Sequence, residues 1–415
     1  MRLLGRLFHR KLSKKRFVKR MLRALSEAGA TDLRYDDAEF SITIGERGHR
    51  AYLSNAFAAC READEATRRE TILNHVAAAL HTPPVPVSFE SVKSNLLPII
   101  RDPAYHGLFR LKLLLDRKTT DNLEIASRPL TEGLNISLAH DSERSMSFVN
   151  VGMLKGWGVS LDQALKVAKN NLRDRTDTNG WVQQSPGLFL GSWNDAYDSS
   201  RMLLTEHIYR LPLNGDPVLF APNRDTIWIT GTSDFAGVEY ILRAGKESHF
   251  KESHPLSPNL YRLADGDWTP YIPLEQVLRE LLTSIQRDRN AVDYQQQKQD
   301  LDALHEKNQT DIFVASYSMF ERQFKEKPGK SRFSLCVWSR GVESLLPKTE
   351  KIAFLVDPET KDYISVRWES AIHIVGHLMK QDPDLLPLRY WVRAFPNESQ
   401  IAQLRQLAAV QSDEF

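Results

Sequence analysis

Ser160-Leu-Asp-Gln-Ala-Leu-Lys-Val-Ala-Lys-Asn-Asn-Leu172 is the stretch whose reading decides the fold. Ser160 stands where an N-cap belongs, and Gln163, three residues on, can reach back to the cap backbone in a capping box. Leu161, Ala164, Leu165, Ala168 and Leu172 recur at helical spacing, so the pattern predicts a helix with one buried stripe. Strand-like runs lie on both sides, at 134–139 and 146–151 before it and near Leu188 after it. Beyond these the pattern predicts a helix over 196–211 and strands at 218–221 and 226–230. A helix at 235–244 and a strand or hairpin at 260–271 follow. Helix and strand signals alternate, which predicts an α+β (mixed α/β) domain and excludes a helical bundle or a β-sandwich.

Working outward, the 92–115 stretch reads as helix punctuated by Pro98 and Pro103. Residues 81–87, with three prolines in four positions, read as a linker. Upstream, short alternating runs in 31–58 and a helix at 65–81 with Ile72, Val76 and Leu80 on one stripe predict a small α+β domain over 27–82. Downstream, 274–310 is polar and Gln-rich (Tyr294-Gln-Gln-Gln-Lys298). Its residual stripe Leu278, Leu281, Leu282 and Ile285 predicts a helical connector. From Asp311 the pattern turns β-rich, at 312–317, 333–338, 352–356 and 363–366, with an exposed turn at 324–330. Helices at 368–379 and 399–409 close it. The chain therefore reads as multi-domain α+β: a basic amphipathic segment 1–26, a small domain 27–82, a central alternating α/β domain 88–273, the connector 274–310, and a C-terminal α+β domain 311–415.

Composition narrows the function classes. At 415 residues, with 41% hydrophobic and 26% charged, the chain has the balance of a folded protein and not of a disordered one. No run of 18 apolar residues occurs, so no membrane-spanning helix is expected. Cys60 and Cys336 are the only cysteines, which excludes a disulfide scaffold and a cysteine-built metal site and suits a reducing, cytoplasmic setting. The net charge of +2 hides an asymmetry: ten Lys or Arg fall before Glu27, leaving 45 of 55 against 53 acids. A sequence-specific nucleic-acid binder is therefore not expected.

The ten cations of residues 1–26 surround two apolar stripes: Leu3, Leu4, Leu7 and Phe8, then Phe17, Val18, Met21, Leu22 and Leu25 after an N-cap at Ser13. Three readings stand side by side. The stripe can dock on the protein's own body, which is favoured; it can lie on an anionic membrane, making the protein membrane-peripheral; or the segment can meet nucleic acid or an acidic partner. Cations keep interrupting the apolar runs, so the segment is not a secretory signal.

Trp157-Gly-Val-Ser-Leu-Asp-Gln-Ala-Leu165, Asn171-Leu172, the Trp193–Arg201 stretch with its Asp-Ala-Tyr-Asp-Ser-Ser-Arg core, and Pro222-Asn-Arg-Asp225 together resemble the domain of unknown function 1444 family. The resemblance covers about residues 130–273 and departs from the family pattern at Ser199 and Ser200. It implies a bacterial, cytoplasmic protein and carries over no activity and no catalytic residue.

Four constellations could carry chemistry. Asp195 and Asp198 flank Tyr197; as N-cap and N3 of the expected 196–211 helix they read as capping carboxylates, whose pKa capping lowers, before they read as an acid–base pair. Pro222-Asn-Arg-Asp225 reads as a hairpin turn, and Arg224 on it either forks onto a carboxylate such as Asp195 or meets an anionic ligand. Gly231-Thr-Ser-Asp234 reads as a helix start capped by Ser233 rather than as a phosphate loop. Glu369, His373 and His377, four apart, would stack on one helix face but supply too few ligands for a metal site, and His373 among Ile372, Ile374 and Val375 reads equally as a core or partner-facing residue.

The favoured reading is a non-catalytic binding or adaptor protein with a protein partner and no cofactor. Its polar patch would comprise Trp193, Asp195, Tyr197, Asp198, Arg201, Asn223, Arg224 and Asp225, with the connector and C-terminal domain as a second partner surface. The alternatives are a hydrolase of anionic substrates, metal-dependent or metal-free, using Asp195, Asp198, Arg224 and Asp225, and a peripheral membrane protein using residues 1–26.

Overall fold

The computed structural model describes residues 11–37, 40–45, 49–61, 63–80, 88–116, 119–142, 146–251, 254–323 and 330–412. The expected helix at Leu3–Phe8, the 81–87 linker and residues 324–329 of the expected turn lie outside these. The chain is a multi-domain α+β protein.

Ser13 caps the helix Lys14–Glu27, accepting from the Arg16 N–H at 3.4 Å. The apolar stripe of that helix (Phe17, Val18, Met21, Leu25) shares a core with Ile42 and Ala51 of a three-stranded antiparallel sheet and with Ile72 and Val76 of the helix Glu65–Leu80. Burying each such side chain stabilises by roughly 1.5–3 kcal/mol. The stripe of residues 14–25 and the small domain after it are thus one unit with one core.

The central region is built from two antiparallel sheets sharing a core. One pairs Leu96–Arg101, Leu134–Asp141 and Ser127–Thr131 in that order, with Met146–Phe148 also on Leu134–Asp141. The other has six strands, ordered Asp267–Tyr271, Leu260–Ala264, Pro217–Asn223, Thr226–Gly231, Leu188–Gly191, Trp181–Ser185. The capping box is present: the Gln163 N–H donates to Ser160 Oγ at 3.2 Å and the Ser160 N–H to Gln163 Oε1 at 2.8 Å. Its helix Leu161–Asp174 buries Ala164, Leu165, Ala168 and Leu172.

Two expectations for this region fail. Residues 96–101 form a strand, not helix; every residue of Leu96–Arg101 is buried. A short apolar run does not distinguish helix from buried strand, and Pro98 is tolerated because this strand is at the sheet edge. The proline at 103 instead opens the helix Pro103–Asp116. The 196–211 helix is absent as well. Asn194 and Ala196 take φ of 56° and 69°, left-handed values that cannot enter an α-helix, and only a 3-10 turn Ser199–Leu203 and one helical turn Thr205–Ile208 follow.

The helix Gln276–Asn308 runs for 33 residues. Leu278, Leu282 and Ile285 enter the central core beside Val218, Phe220 and Leu260. Further along, the Tyr294 hydroxyl donates to the Leu388 carbonyl at 2.7 Å, and Gln297 Nε2 to that of Pro387 at 2.7 Å. One helix thereby serves both the central and C-terminal regions. The latter holds two four-stranded sheets, Ser318–Gln323, Lys330–Ser339, Lys351–Asp357, Asp362–Arg367 and Phe313–Val314, Ser344–Pro347, Arg389–Val392, Met379–Asp382, around a core of Trp338, Phe354, Ile364, Trp368 and Leu404. The expected 368–379 helix stops at Val375, passes through a 3-10 turn and becomes the strand Met379–Asp382. Among the described residues no helix is long and apolar enough to cross a membrane.

Candidate functional site

The eight patch residues fall into two adjoining groups. In the first, Arg201, 1% exposed, donates from Nη1 and Nη2 to Asp195 Oδ1 and Oδ2 at 2.8 and 2.7 Å and from Nε to Thr176 Oγ1 at 3.2 Å. The Trp193 ring covers its guanidinium at 4.3 Å. Burial opposes ionisation of Asp195, but the Arg201 fork and the Tyr197 N–H, at 3.0 Å, outweigh it and hold the carboxyl below its ordinary value. Asp198 is fully buried and accepts from the Trp193 and Asn194 N–H groups at 2.9 and 3.4 Å. There burial wins and its carboxyl is raised. The capping reading is therefore corrected: neither carboxylate heads an α-helix, and Asp198 bonds backwards along the chain. Trp193, Asp195 and Arg201 form a closed knot whose hydrogen bonds are spent on the fold.

In the second group, Arg224 forks onto its neighbour Asp225, at 3.0 and 3.4 Å, and not onto Asp195. Asn223, fully buried, accepts the Asp225 N–H at 2.9 Å and so shapes the turn. The Ser199 N–H donates to the Arg224 carbonyl at 3.1 Å, joining the two groups, with Tyr197 buried close by. Asp234, not Ser233, caps the following helix, accepting the Gly237 N–H at 2.9 Å.

Glu369, His373 and His377 do not assemble. The helix ends between the two histidines, His377 Nε2 lies 3.2 Å from Gln400 Nε2, and Glu369 lies 3.6 Å from Lys348 Nζ. His373 is exposed, so the core reading of it is corrected. Among the described residues no group of three or more His, Cys, Asp or Glu is placed to hold a metal ion. Both thiols are buried, and burial pushes that of Cys336 up to about 12.

A cleft of about 990 Å³ lies elsewhere, between the central region, the 33-residue helix and the C-terminal sheet. Its walls differ in charge. On the C-terminal side stand Arg332, Lys348, Lys351 and Arg367, with Lys351 and Arg367 directly opposite each other on neighbouring strands. Two cations in that register attract an anion jointly. Glu350 and Glu369 stand on that wall too, and on the other side are Asp102, Glu132 and Asp293 with Arg287 and Arg289, so each wall carries both signs, with the excess positive on the first and negative on the second. Burial, then the charge of Asp102, raise the Asp293 carboxyl to about 7 against the pull of Arg289, whose Nε lies 2.7 Å away.

The walls are held together at Glu350. Its carboxylate receives Arg287 Nε and Nη2 at 2.7 Å each, the Ser334 N–H at 2.8 Å and the Ser334 hydroxyl at 3.1 Å. Tyr317 stacks on Tyr294 at 5.2 Å along the cleft floor. None of these residues was singled out from the sequence. The available signal was the four-residue spacing of Arg289, Asp293 and Gln297, a polar stripe on a face the structure buries.

No protein-family model matches the chain, and neither the curated proteins nor the solved structures include a match to it.

Proposed function

We propose that the protein is a binding or adaptor protein whose cleft receives an extended, acidic segment of a protein partner. The observation that carries this reading is the placing of Lys351 and Arg367 directly opposite each other on the cleft wall that has the excess of positive charge. An acidic side chain laid against the pair would be attracted by both cations, and the size of the cleft, about 990 Å³, suits a few residues of extended chain. The connector helix and C-terminal domain then supply the partner surface, while the knot around Arg201 positions the central sheets. A cytoplasmic location and kinship with the domain of unknown function 1444 family belong to the same proposal.

Fluorescence anisotropy with labelled short peptide pools of acidic, neutral and basic composition tests it. Only the acidic pool should bind, and a Lys351→Glu, Arg367→Glu double variant should lose that binding while Arg128→Glu, on another surface, keeps it. Equal binding of all three pools, or an unaffected double variant, would rule the reading out.

A catalytic alternative draws support from one feature, Asp293, whose carboxyl is raised toward neutrality in the cleft opposite a cationic wall. Turnover of an anionic ester that disappears in Asp293→Asn would favour a hydrolase; an ester left intact would leave Asp293 a structural partner of Arg289.

A further inference from the structure

Among the described residues four arginines are buried, and three are well satisfied. Arg201 is held by Asp195 and Thr176. Arg389 donates to Gln297 Oε1 and to the carbonyls of Ala315, Leu345 and Tyr294, at 2.7 to 3.3 Å. Arg68 donates to the carbonyls of Cys60 and Arg61, at 2.8 and 3.2 Å.

Arg101 differs. It is 2% exposed, yet among the described residues its one hydrogen bond runs from Nη1 to the carbonyl of the adjacent Ile100 at 2.8 Å, and its Nε has no partner. No carboxylate lies within ion-pair distance of it among the described residues. The rings of Tyr105 and Phe148 flank the guanidinium at 5.8 and 5.4 Å, which offsets part of the cost of burying the charge but satisfies no N–H.

The surroundings carry charge of both signs: Arg224 disfavours the Arg101 guanidinium, while Tyr105, Asp225 and Tyr197 favour it. Burial chiefly, then the charge of Arg224, lower the Arg101 guanidinium to about 10. Burial, then Arg224 and Arg101, push His254 down to about 4, so its imidazole is neutral. The Arg224 N–H donates to the His254 carbonyl at 3.1 Å, which fixes the two residues side by side. Among the described residues His106 Nδ1 and the Tyr197 hydroxyl, both buried, also lack a partner at hydrogen-bonding geometry, though the hydroxyl faces the Asp141 carboxylate. Asp225, the acid nearest Arg224, is already engaged by it. Tyr105 at 36% exposure and the exposed Asp225 leave the group a solvent face.

From these observations we infer that Arg101 and Arg224, with the Tyr197 hydroxyl and His254 beside them, form a binding site for a phosphate-class oxyanion, either inorganic phosphate or the phosphate group of a small monoester. The Arg101 guanidinium and the Nη1 of Arg224, which the Asp225 fork does not use, supply cationic donors to a tetrahedral dianion, and a neutral imidazole and a hydroxyl add donors without adding charge. The site is distinct from the cleft: Asp102, the next residue along the chain, lines the cleft, while Arg101 lies among Tyr105, Phe148 and Arg224. It does not rest on the acidic-segment reading.

Isothermal titration of the whole chain at constant ionic strength tests this, with inorganic phosphate, glycerol 3-phosphate, sulfate and chloride as probes. Phosphate should bind saturably at one site, at least about tenfold more weakly in Arg224→Gln and not at all in Arg101→Met, and unchanged in Arg128→Gln. Tighter binding of glycerol 3-phosphate than of phosphate would assign the site to a phosphorylated small molecule; equal binding would assign it to free phosphate. Should Arg101→Met fail to fold, Arg224→Gln and His254→Ala, both outside the helices and strands, decide the matter. No saturable heat with the unaltered chain, or full phosphate affinity in Arg224→Gln, would overturn the inference.

Discussion

Replacing Glu350 by Gln probes the joint that fixes the cleft's two walls. The carboxylate accepts four hydrogen bonds, two from Arg287 and two from Ser334. A glutamine keeps one acceptor oxygen and turns an NH2 toward donors, so at least two of the four contacts are lost along with the ion pair. Charge-assisted bonds are worth about 1.5–3 kcal/mol each when buried, but the Glu350 side chain is 39% exposed, and solvent screening brings the expected total to about 2 kcal/mol. For a unit of 150–250 residues that is roughly 4–8 °C of melting temperature. The pH dependence has a definite sign. Burial opposes ionisation, but Arg287 and Ser334 lower the Glu350 carboxyl below its ordinary 4.5. Its contribution is therefore complete above 4.5 and is lost as pH falls through the lower folded value. Scanning calorimetry at about pH 7 should show the full gap between the two proteins, narrowing as the solution is acidified. Equal melting at neutral pH, or a gap that persists unchanged in acid, would refute the joint.

Other consequences follow from packing and burial. A methyl at Gly180 would fall 2.1 Å from Trp193 Cε2, whose indole is pinned by its N–H to the Asp177 carbonyl, so Gly180→Ala should cost about 1–3 kcal/mol and alter the near-ultraviolet dichroism of Trp193. Leu282, 4% exposed, ties the long helix to the central core; Leu282→Ala should lower the urea midpoint by an equivalent of about 2–5 kcal/mol. Asp293 is raised to about 7, so folding binds its proton more tightly and unaltered protein should lose stability as pH rises from about 4 through 7. The Asp293→Asn variant should lack that slope, and parallel urea-midpoint profiles for the two proteins would show the carboxyl to be ionised throughout.

Local signals were legible in the sequence where a single segment contains both partners of an interaction. Ser160 and Gln163 lie three apart, and their capping box is present as spacing requires. The same holds for the Ser13 cap and the turn at Pro222-Asn-Arg-Asp225. Failures cluster where distant residues decide. Leu96–Arg101 is apolar enough for a buried helix or strand, and its pairing with Leu134–Asp141 settles it. Asp195 caps nothing because Arg201 and the left-handed Ala196 pull the chain off a helical path. The cleft was invisible for the same reason: its basic wall joins Arg332, Lys351 and Arg367 from three strands, and its acidic wall joins Asp102 to Asp293, nearly two hundred residues on.

The most direct examination of the acidic-segment reading is lysine footprinting by acetylation and mass spectrometry, with and without the acidic peptide pool. Lys348 and Lys351 should become protected while the exposed Lys380 keeps its reactivity. Protection that instead falls on Lys15 and Lys19 of the amino-terminal helix, or is spread evenly over all exposed lysines, would contradict it.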